Sequence, residues 1–284
     1  MIEVRGLLDE EILSALPREE TRWVRMVLEG LGGSPLSVGR LWKLMDDVWR
    51  DLGCDPHRLD HRVERFYAHP VWLLNGLFTE RDPESLAHRR GFVEWLVRRR
   101  PRRVADFGGG FGALARMLGS ALPDARVEII EPHPHPVAVE LAARRENVRY
   151  RAELTGVYDA MVATDVFEHV SDPLGLAVDT ATFLRVGGTY LIANCFRPVV
   201  LCHLPQNFHF EWTWERVLER AGLRPREPVE YGRAFERVGS LDLAAARDVE
   251  LRSRRIHRWL RPLPGRVRRV LTHRVLDHQL RRQG

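Results

Sequence analysis

The stretch Val104–Leu118, VADFGGGFGALARML, joins a short apolar segment to a helical pattern through a turn that is rich in glycine. The apolar segment predicts the end of a buried strand, with Asp106 at its tip. Glycines are needed in such a turn because the chain bends sharply and a ligand can lie against bare backbone. The amides that open the following helix then face that ligand. The glycines in G-x-G-x-G spacing are Gly108, Gly110 and Gly112.

Glu131 closes the next apolar segment, EIIE, 19 residues after Gly112. A carboxylate at the end of this second strand can accept hydrogen bonds from both hydroxyls of a ribose, and a solvated strand-end charge is the alternative. A nicotinamide dinucleotide fits poorly, because Asp106 would lie near its pyrophosphate and repel it. S-adenosyl-L-methionine has an ammonium, a sulfonium and a ribose but no phosphate. The two carboxylates therefore predict this cofactor rather than NAD.

Strand and helix patterns alternate from residue 101 to residue 240, which predicts a parallel sheet with helices on both faces and a closing antiparallel pair. Residues 1–100 show helical patterns instead, and we expect them to form an N-terminal helical cap. Residues 241–284 contain two basic helical stretches separated by the segment PLPG. The predicted fold class is therefore α/β, with a helical cap before the sheet and a basic helical tail after it.

Four segments together resemble the class I S-adenosylmethionine-dependent methyltransferases: VADFGGGFG, the strand that ends at Glu131, YDAMVATDVFEHVSDP and LRVGGTYLI. Among them, DVFEHVSDP is similar to the motif after strand four in ubiquinone-biosynthesis-type and related small-molecule methyltransferases. The resemblance covers residues 102–240, about half of the chain. It implies a Rossmann-like, seven-stranded, mostly parallel sheet with a reversed last strand. It also implies S-adenosyl-L-methionine as methyl donor, S-adenosyl-L-homocysteine as product and a small-molecule acceptor.

The resemblance further implies which residues hold the cofactor. The acid and glycines of the first turn would surround its methionine part, and the acid after strand two would hold its ribose. Asp165 and Val166 would lie beside the methyl group, and Glu153 would touch the adenine amine unless it is simply exposed. His88 or Arg89, on the preceding helix, could reach the cofactor carboxylate. The implied cofactor-binding residues are Asp106, Gly108, Gly110, Gly112, Glu131, Glu153, Asp165 and Val166.

The acceptor pocket is expected beyond the carboxyl ends of strands four and five, because ligands of open parallel sheets bind there. Three segments would build it: 67–78 of the cap, 167–169, and 194–209. His169 and His209 are the candidates for taking a proton from an oxygen or nitrogen acceptor. The alternatives are that the cap aromatics are ordinary core residues and that His169 only packs behind the site. The candidate substrate contacts are Tyr67, His69, Phe167, Asn194 and His203.

Positive charge is concentrated near the end of the chain. Residues 241–284 contain 12 Arg and only 4 acidic residues, a net charge of +8, whereas the whole chain has +5. A basic tail on a mildly acidic body could bind a membrane surface or a phosphorylated acceptor. Alternatively, it could pack on the body with its charges in solvent. We expect packing, because Ile, Leu and Val recur in the tail at helical spacing.

Several other classes are disfavoured by the sequence. The acidic N-terminus argues against a signal peptide and the three cysteines against a disulfide framework, so a cytoplasmic protein is expected. The pair His133 and His135 lacks a third ligand, and no metal site is predicted. Nucleic acid is not an expected partner, and the sequence leaves a homodimer open. Two alternatives remain: a non-methyltransferase enzyme using the same cofactor, and a nucleic-acid- or membrane-associated methyltransferase using the arginine-rich tail.

Overall fold

The computed structural model describes residues 16–32, 34–260 and 262–272. Within these ranges, five helices precede the first strand. Their bounds are α1 (Arg18–Gly30), α2 (Val38–Asp51), α3 (His61–Tyr67), α4 (Pro70–Thr79) and α5 (Pro83–Val97). Acidic side chains define two of the helix starts, because the carboxylates of Asp60 and Asp82 accept hydrogen bonds from first-turn amides. The expected N-terminal helices are therefore present.

The sheet contains seven strands in the order β3-β2-β1-β4-β5-β7-β6. Strands β1 to β5 pair in parallel, and β7 runs antiparallel between β5 and β6. Because β1 pairs with β2 on one side and β4 on the other, the chain order reverses at β1, and a ligand crevice is expected there. The predicted fold class is confirmed. The bounds are β1 (Arg103–Phe107), β2 (Arg126–Ile130), β3 (Val148–Arg151), β4 (Tyr158–Thr164), β5 (Leu184–Ala193), β6 (Leu223–Val229) and β7 (Gly232–Arg237).

Helices cover both faces of the sheet. They are α6 (Ala113–Ala121), α7 (Pro136–Ala143), α8 (Pro173–Ala181), α9 (Trp214–Arg220) and α10 (Leu243–Leu260), with 3-10 helices at Phe167–His169 and Pro205–Trp212. The first helix of the basic tail, α10, packs on the body through the buried side chains of Ala246, Val249 and Ile256. None of the helices in the described ranges offers an apolar stretch that could span a lipid bilayer.

The cap packs directly onto the turn that follows β1. Phe111 of this turn lies against Gly76 of α4, where an added Cβ would be 2.7 Å from the phenylalanine ring. The same apolar cluster joins the cap to α7 and to the segment after β5 through Val137, Ala138, Val200 and Cys202. The cap therefore covers the edge of the sheet at which β1 ends.

Gly76→Ala should lower the free energy of unfolding by about 1–3 kcal/mol, because the new methyl group overlaps Phe111 in a packed interface. Urea unfolding followed by tryptophan fluorescence measures the change. Gly39→Ala is the matched control, since the Cβ position of Gly39 on α2 faces open space. It should be neutral or stabilising by up to about 1 kcal/mol. Equal effects of the two substitutions would contradict the tight contact between cap and turn.

Candidate active site

The turn between β1 and α6 leaves its backbone bare towards the crevice. Three glycines have positive φ, namely Gly108 at 66°, Gly110 at 50° and Gly112 at 75°. An added Cβ on Gly108 would lie 2.6 Å from Val166, whereas the Cβ position of Gly110 faces open space. Gly109, which the spacing argument passed over, is also required, because the carboxylate of Asp106 occupies the place of its Cβ. A side chain would therefore clash at Gly108 and at Gly109, whereas the backbone at Gly110 is open.

Asp106, at the end of β1, is only 1% exposed. Neither of its carboxylate oxygens has a hydrogen-bond partner among the described residues, although the Ala115 amide lies close enough to lower its pKa. Burial nevertheless raises the pKa of Asp106 to about 6, and the charges of Arg89 and Arg116 oppose this rise only in part. A buried carboxylate without partners is costly and indicates a cationic ligand. The ammonium of S-adenosylmethionine fits this position.

Glu131 directly follows β2 and is partly buried at the same edge of the sheet. Burial raises the pKa of its carboxyl group, and the nearby amides of His133 and Gly110 oppose that rise. The His133 amide lies 3.5 Å from Oε1 of Glu131, and the Tyr150 hydroxyl donates to the Gly110 carbonyl at 2.8 Å. Glu131 thus lies beside the glycine turn, and its carboxylate can accept further hydrogen bonds, as the two hydroxyls of a ribose require.

Asp165 and Val166 follow β4 on the other side of the glycine turn. Asp165 has a left-handed backbone with φ of 54°, and its amide donates to the Ala193 carbonyl at 2.8 Å. Its side chain is open to solvent yet closely surrounded by protein, as at the floor of a cleft, and this burial raises its pKa. Oδ2 of Asp165 accepts a hydrogen bond of 2.9 Å from the hydroxyl of Tyr231, a residue that no sequence pattern singled out.

Glu168 is fully buried next to these residues and accepts a hydrogen bond at each oxygen. The donors are Nδ2 of Asn194 and the amide of Cys195, both at 2.8 Å. Burial raises the pKa of Glu168 to about 8, with a further contribution from the charge of Asp165. Burial therefore favours the uncharged form of Glu168, while the two hydrogen bonds oppose this. Asn194, a predicted substrate contact, has its amide nitrogen engaged by Glu168, while its Oδ1 has no partner in the described part of the chain.

His169 is surrounded by aromatic side chains from the cap and from the segment after β5. Its ring centroid lies 4.9 Å from that of His203, 6.3 Å from that of Tyr67 and 6.2 Å from that of Trp72. Tyr67 is 40% exposed, although burial raises the pKa of its hydroxyl. A side chain that is accessible to solvent and yet closely surrounded by protein atoms is typical of the wall of a cleft. The structure thus brings three predicted site residues, Tyr67, His169 and His203, together beneath the cap.

The hydrogen bonds of the two histidines determine which nitrogen carries the proton. Nδ1 of His169 lies 3.2 Å from the Cys202 carbonyl, and Nδ1 of His203 lies 2.8 Å from the Arg197 carbonyl. Because a carbonyl only accepts, both Nδ1 atoms are donors, and Nε2 of each neutral ring carries the lone pair. Burial lowers the pKa of His169 to about 3 and also lowers that of His203. Both rings are therefore neutral at neutral pH.

A grouping of potential metal ligands was not foreseen by the sequence. Glu168, His169 and His203 each offer one ligand atom, and these atoms lie within 4.8 Å of one another. Spacing along the chain did not reveal the set, because His203 comes from the segment after β5. Both oxygens of Glu168 already accept hydrogen bonds from Asn194 and Cys195, so an ion would have to compete with these donors.

His209 lies in surroundings that do not suit the proton-accepting role predicted for it. It is 5% exposed. Its Nδ1 donates to the Gln206 carbonyl at 2.7 Å, and its Nε2 lies 3.6 Å from Glu250 of α10. The first tail helix therefore covers this ring, and proton acceptance by His209 stays a prediction that its burial does not favour.

The structure also shows the surroundings of three other predicted site residues. The Nδ1 atom of His69 accepts a hydrogen bond of 3.1 Å from the Val71 amide and so caps α4. Phe167 is fully buried and packs on Tyr190 and Trp214, which places it beneath the cleft. Glu153 is exposed in the turn after β3, and its predicted contact with adenine stays a prediction.

The chain matches a family model described as a methyltransferase domain over residues 77–244, which is more than half of its length. A ubiquinone biosynthesis O-methyltransferase from Ruegeria sp. (strain TM1040) is 27% identical over 150 residues, covering 43% of this chain and 60% of the relative. The protein of the same name from Xanthomonas campestris pv. campestris (strain B100) is 30% identical over 104 residues, covering 34% and 44%. The chain thus spans about half the length of the curated relatives it matches.

Solved structures show a weaker likeness. An O-methyltransferase family protein from Burkholderia thailandensis is 17% identical with a TM-score of 0.49, and 71% of each chain is covered. Human N-acetylserotonin methyltransferase is 15% identical with a TM-score of 0.46, covering 75% of this chain and 70% of the other. The assignment rests instead on the family match, which contains the whole sheet, the glycine turn and Asp106. As the resemblance in its sequence predicted, the chain is a member of the methyltransferase domain family.

Proposed function

We propose that this protein is an S-adenosylmethionine-dependent methyltransferase that acts on a small-molecule acceptor. The observation that carries the proposal is the carboxylate of Asp106, which is buried beneath a turn of glycines and has no hydrogen-bond partner among the described residues. A buried anion beside open backbone suits a ligand that combines a cation with hydrogen-bonding groups. When bound, S-adenosylmethionine supplies a methyl group activated by its sulfonium.

The charged residues around the glycine turn suit the separate parts of the cofactor. Asp106 would bind the ammonium, and Glu131 would accept hydrogen bonds from the ribose hydroxyls. Arg89 on α5 is close enough to lower the pKa of both Asp106 and Asp165, and its guanidinium can hold the cofactor carboxylate. Gly110 has no side chain, and its Cβ position faces open space, so the backbone of the turn is accessible there.

The aromatic side of the cleft would hold the acceptor. Tyr67 and Trp72 come from the cap, His169 follows β4, and His203 follows β5. These side chains line the space above the strand ends and would exclude water from a bound acceptor, which suits a small molecule. The curated relatives are named O-methyltransferases, so compounds with hydroxyl groups are the first acceptors to test.

His169 would receive the proton that the acceptor loses. Its neutral ring presents the lone pair of Nε2, because Nδ1 donates to the Cys202 carbonyl. Burial lowers the pKa of His169 to about 3, which makes it a weak base. A weak base is sufficient when proton loss accompanies or follows methyl transfer, because a hydroxyl oxygen becomes strongly acidic as it gains the methyl group.

Calorimetric titration should show micromolar binding of S-adenosylhomocysteine and no binding of NAD. Glu131→Ala should weaken binding of S-adenosylhomocysteine by about 1–3 kcal/mol, because two charge-assisted hydrogen bonds to the ribose are lost. Glu146→Ala removes an exposed carboxylate just before β3 and should leave the affinity unchanged. Binding of NAD without any response to S-adenosylhomocysteine would overturn the cofactor assignment.

The affinity for S-adenosylhomocysteine should fall as the pH drops below about 6. In the ligand-free protein burial raises the pKa of Asp106 to about 6, and protonation below that value removes the charge that binds the ammonium. One competing proton reduces the affinity by at most about tenfold per pH unit. Asp106→Asn should bind weakly at every pH and lose most of this dependence. Titrations at a series of pH values test this, and a constant wild-type affinity through pH 6 and below would contradict it.

His169→Ala should reduce kcat by about 100-fold or more, the usual contribution of a positioned acid or base. The affinity for S-adenosylhomocysteine should remain nearly unchanged, because His169 faces the aromatic side of the cleft. Release of S-adenosylhomocysteine in the presence of small hydroxylated acceptors measures turnover. His57→Ala, which removes an exposed histidine of the cap, is the control. A parallel loss of cofactor affinity in His169→Ala would argue against the assigned role.

A further inference from the structure

The turn between β6 and β7 reaches the edge of the candidate site. Its Tyr231 packs with ring-centroid distances of 5.0 Å to His88 and 5.5 Å to Phe92, both on α5. The hydroxyl of Tyr231 donates to Oδ2 of Asp165 at 2.9 Å. Three parts of the chain that are remote in sequence therefore meet here: the helix before β1, the residue after β4 and the turn before β7.

This turn is held firmly against α5. Nδ1 of His88 lies 3.1 Å from the Glu230 carboxylate, and the same carboxylate occupies the space where a side chain at Gly91 would lie. Glu230 itself has a left-handed backbone with φ of 53°. The position of Tyr231 is thus determined by contacts on both sides of its turn and not by its hydroxyl alone.

The hydrogen bond between Tyr231 and Asp165 lies at the wall of a cleft. Tyr231 is 44% exposed and Asp165 is also open to solvent, yet burial raises the pKa of both groups. A hydrogen bond that only stabilised the core would have no solvent-accessible side. The carboxylate of Asp165 is therefore accessible to a ligand while the Tyr231 hydroxyl holds its orientation.

The positive charge of Arg89 on α5 acts on both carboxylates of the site. The Arg89 guanidinium lowers the pKa of both Asp106 and Asp165, so it lies near both carboxylates. Its Nη1 donates to the Ser85 carbonyl at 3.1 Å, which fixes the side chain along α5. Two carboxylates with a guanidinium near both complement an α-amino acid group, which has one ammonium and one carboxylate.

We propose that Tyr231 is a positioning residue for the amino-acid end of the cofactor, because it holds Asp165 as a second carboxylate close to Arg89. Asp106 and Asp165 then share the ammonium, while Arg89 faces the carboxylate. This inference rests on the proposed function and extends it to the turn between β6 and β7.

Tyr231→Phe tests the inference, because it keeps the ring that packs on His88 and Phe92 and removes only the hydroxyl. Two ligands are titrated by calorimetry: S-adenosylhomocysteine, and 5′-methylthioadenosine, which has the same adenosine and sulfur but no amino-acid group. The affinity for S-adenosylhomocysteine should fall about tenfold, as expected when one charge-assisted contact is weakened. The affinity for 5′-methylthioadenosine should not change. Asp165→Asn should show the same selective loss.

Tyr190→Phe is the matched control, because it removes a tyrosine hydroxyl that is bonded to Thr180 in the core at 2.9 Å. It should lower Tm and leave both affinities unchanged. If Tyr231→Phe lowers the affinities for both ligands equally, or lowers neither, the inference is overturned while the proposed function stands. If the wild-type protein binds neither ligand, the proposed function itself fails, and the inference fails with it.

Discussion

The burial of the Asp106 carboxylate, without a hydrogen-bond partner in the described part of the chain, is the constraint on which the surrounding structure depends. Gly109 has no side chain because the carboxylate occupies that space, and the turn above it needs left-handed glycines. The turn is held in place from outside, since Phe111 packs on Gly76 of the cap. The folded protein therefore retains an electrostatic cost that a cationic ligand would relieve. Such residual costs are common at functional sites, where local stability is given up for binding.

The cleft is divided into a charged end and a neutral end. Asp106, Arg89 and Asp165 lie near the glycine turn, and burial raises the pKa of both acids. On the other side, burial raises the pKa of Glu168 to about 8 and lowers that of His169 to about 3, and in each case it favours the uncharged form. This division suits a zwitterionic group at one end and a weakly polar acceptor at the other, because each ligand part meets groups of complementary polarity.

The tail helix α10 contributes to the body of the protein through a buried polar network. Burial of Glu250 would raise its pKa, but the nearby His209 ring and hydrogen bonds from Arg247 and Arg254 lower it to about 2. Thr213 and Ser253 complete the network with a hydrogen bond of 2.6 Å between their hydroxyls. A buried carboxylate in this position stays charged because several donors compensate the loss of water. Some of the excess arginine in the tail is therefore engaged in structural ion pairs.

The sequence by itself determined the strand, turn and helix around Asp106 and the place of Glu131. These features are local, or follow directly from the parallel pairing of neighbouring strands. Only the tertiary structure decided that Tyr231 meets Asp165, 66 residues earlier, and that His209 lies against Glu250 of α10. Both outcomes depend on the register of an antiparallel pair and on packing between distant elements. A spacing pattern carries no information about such contacts, because many packings are compatible with one sequence of helices and strands.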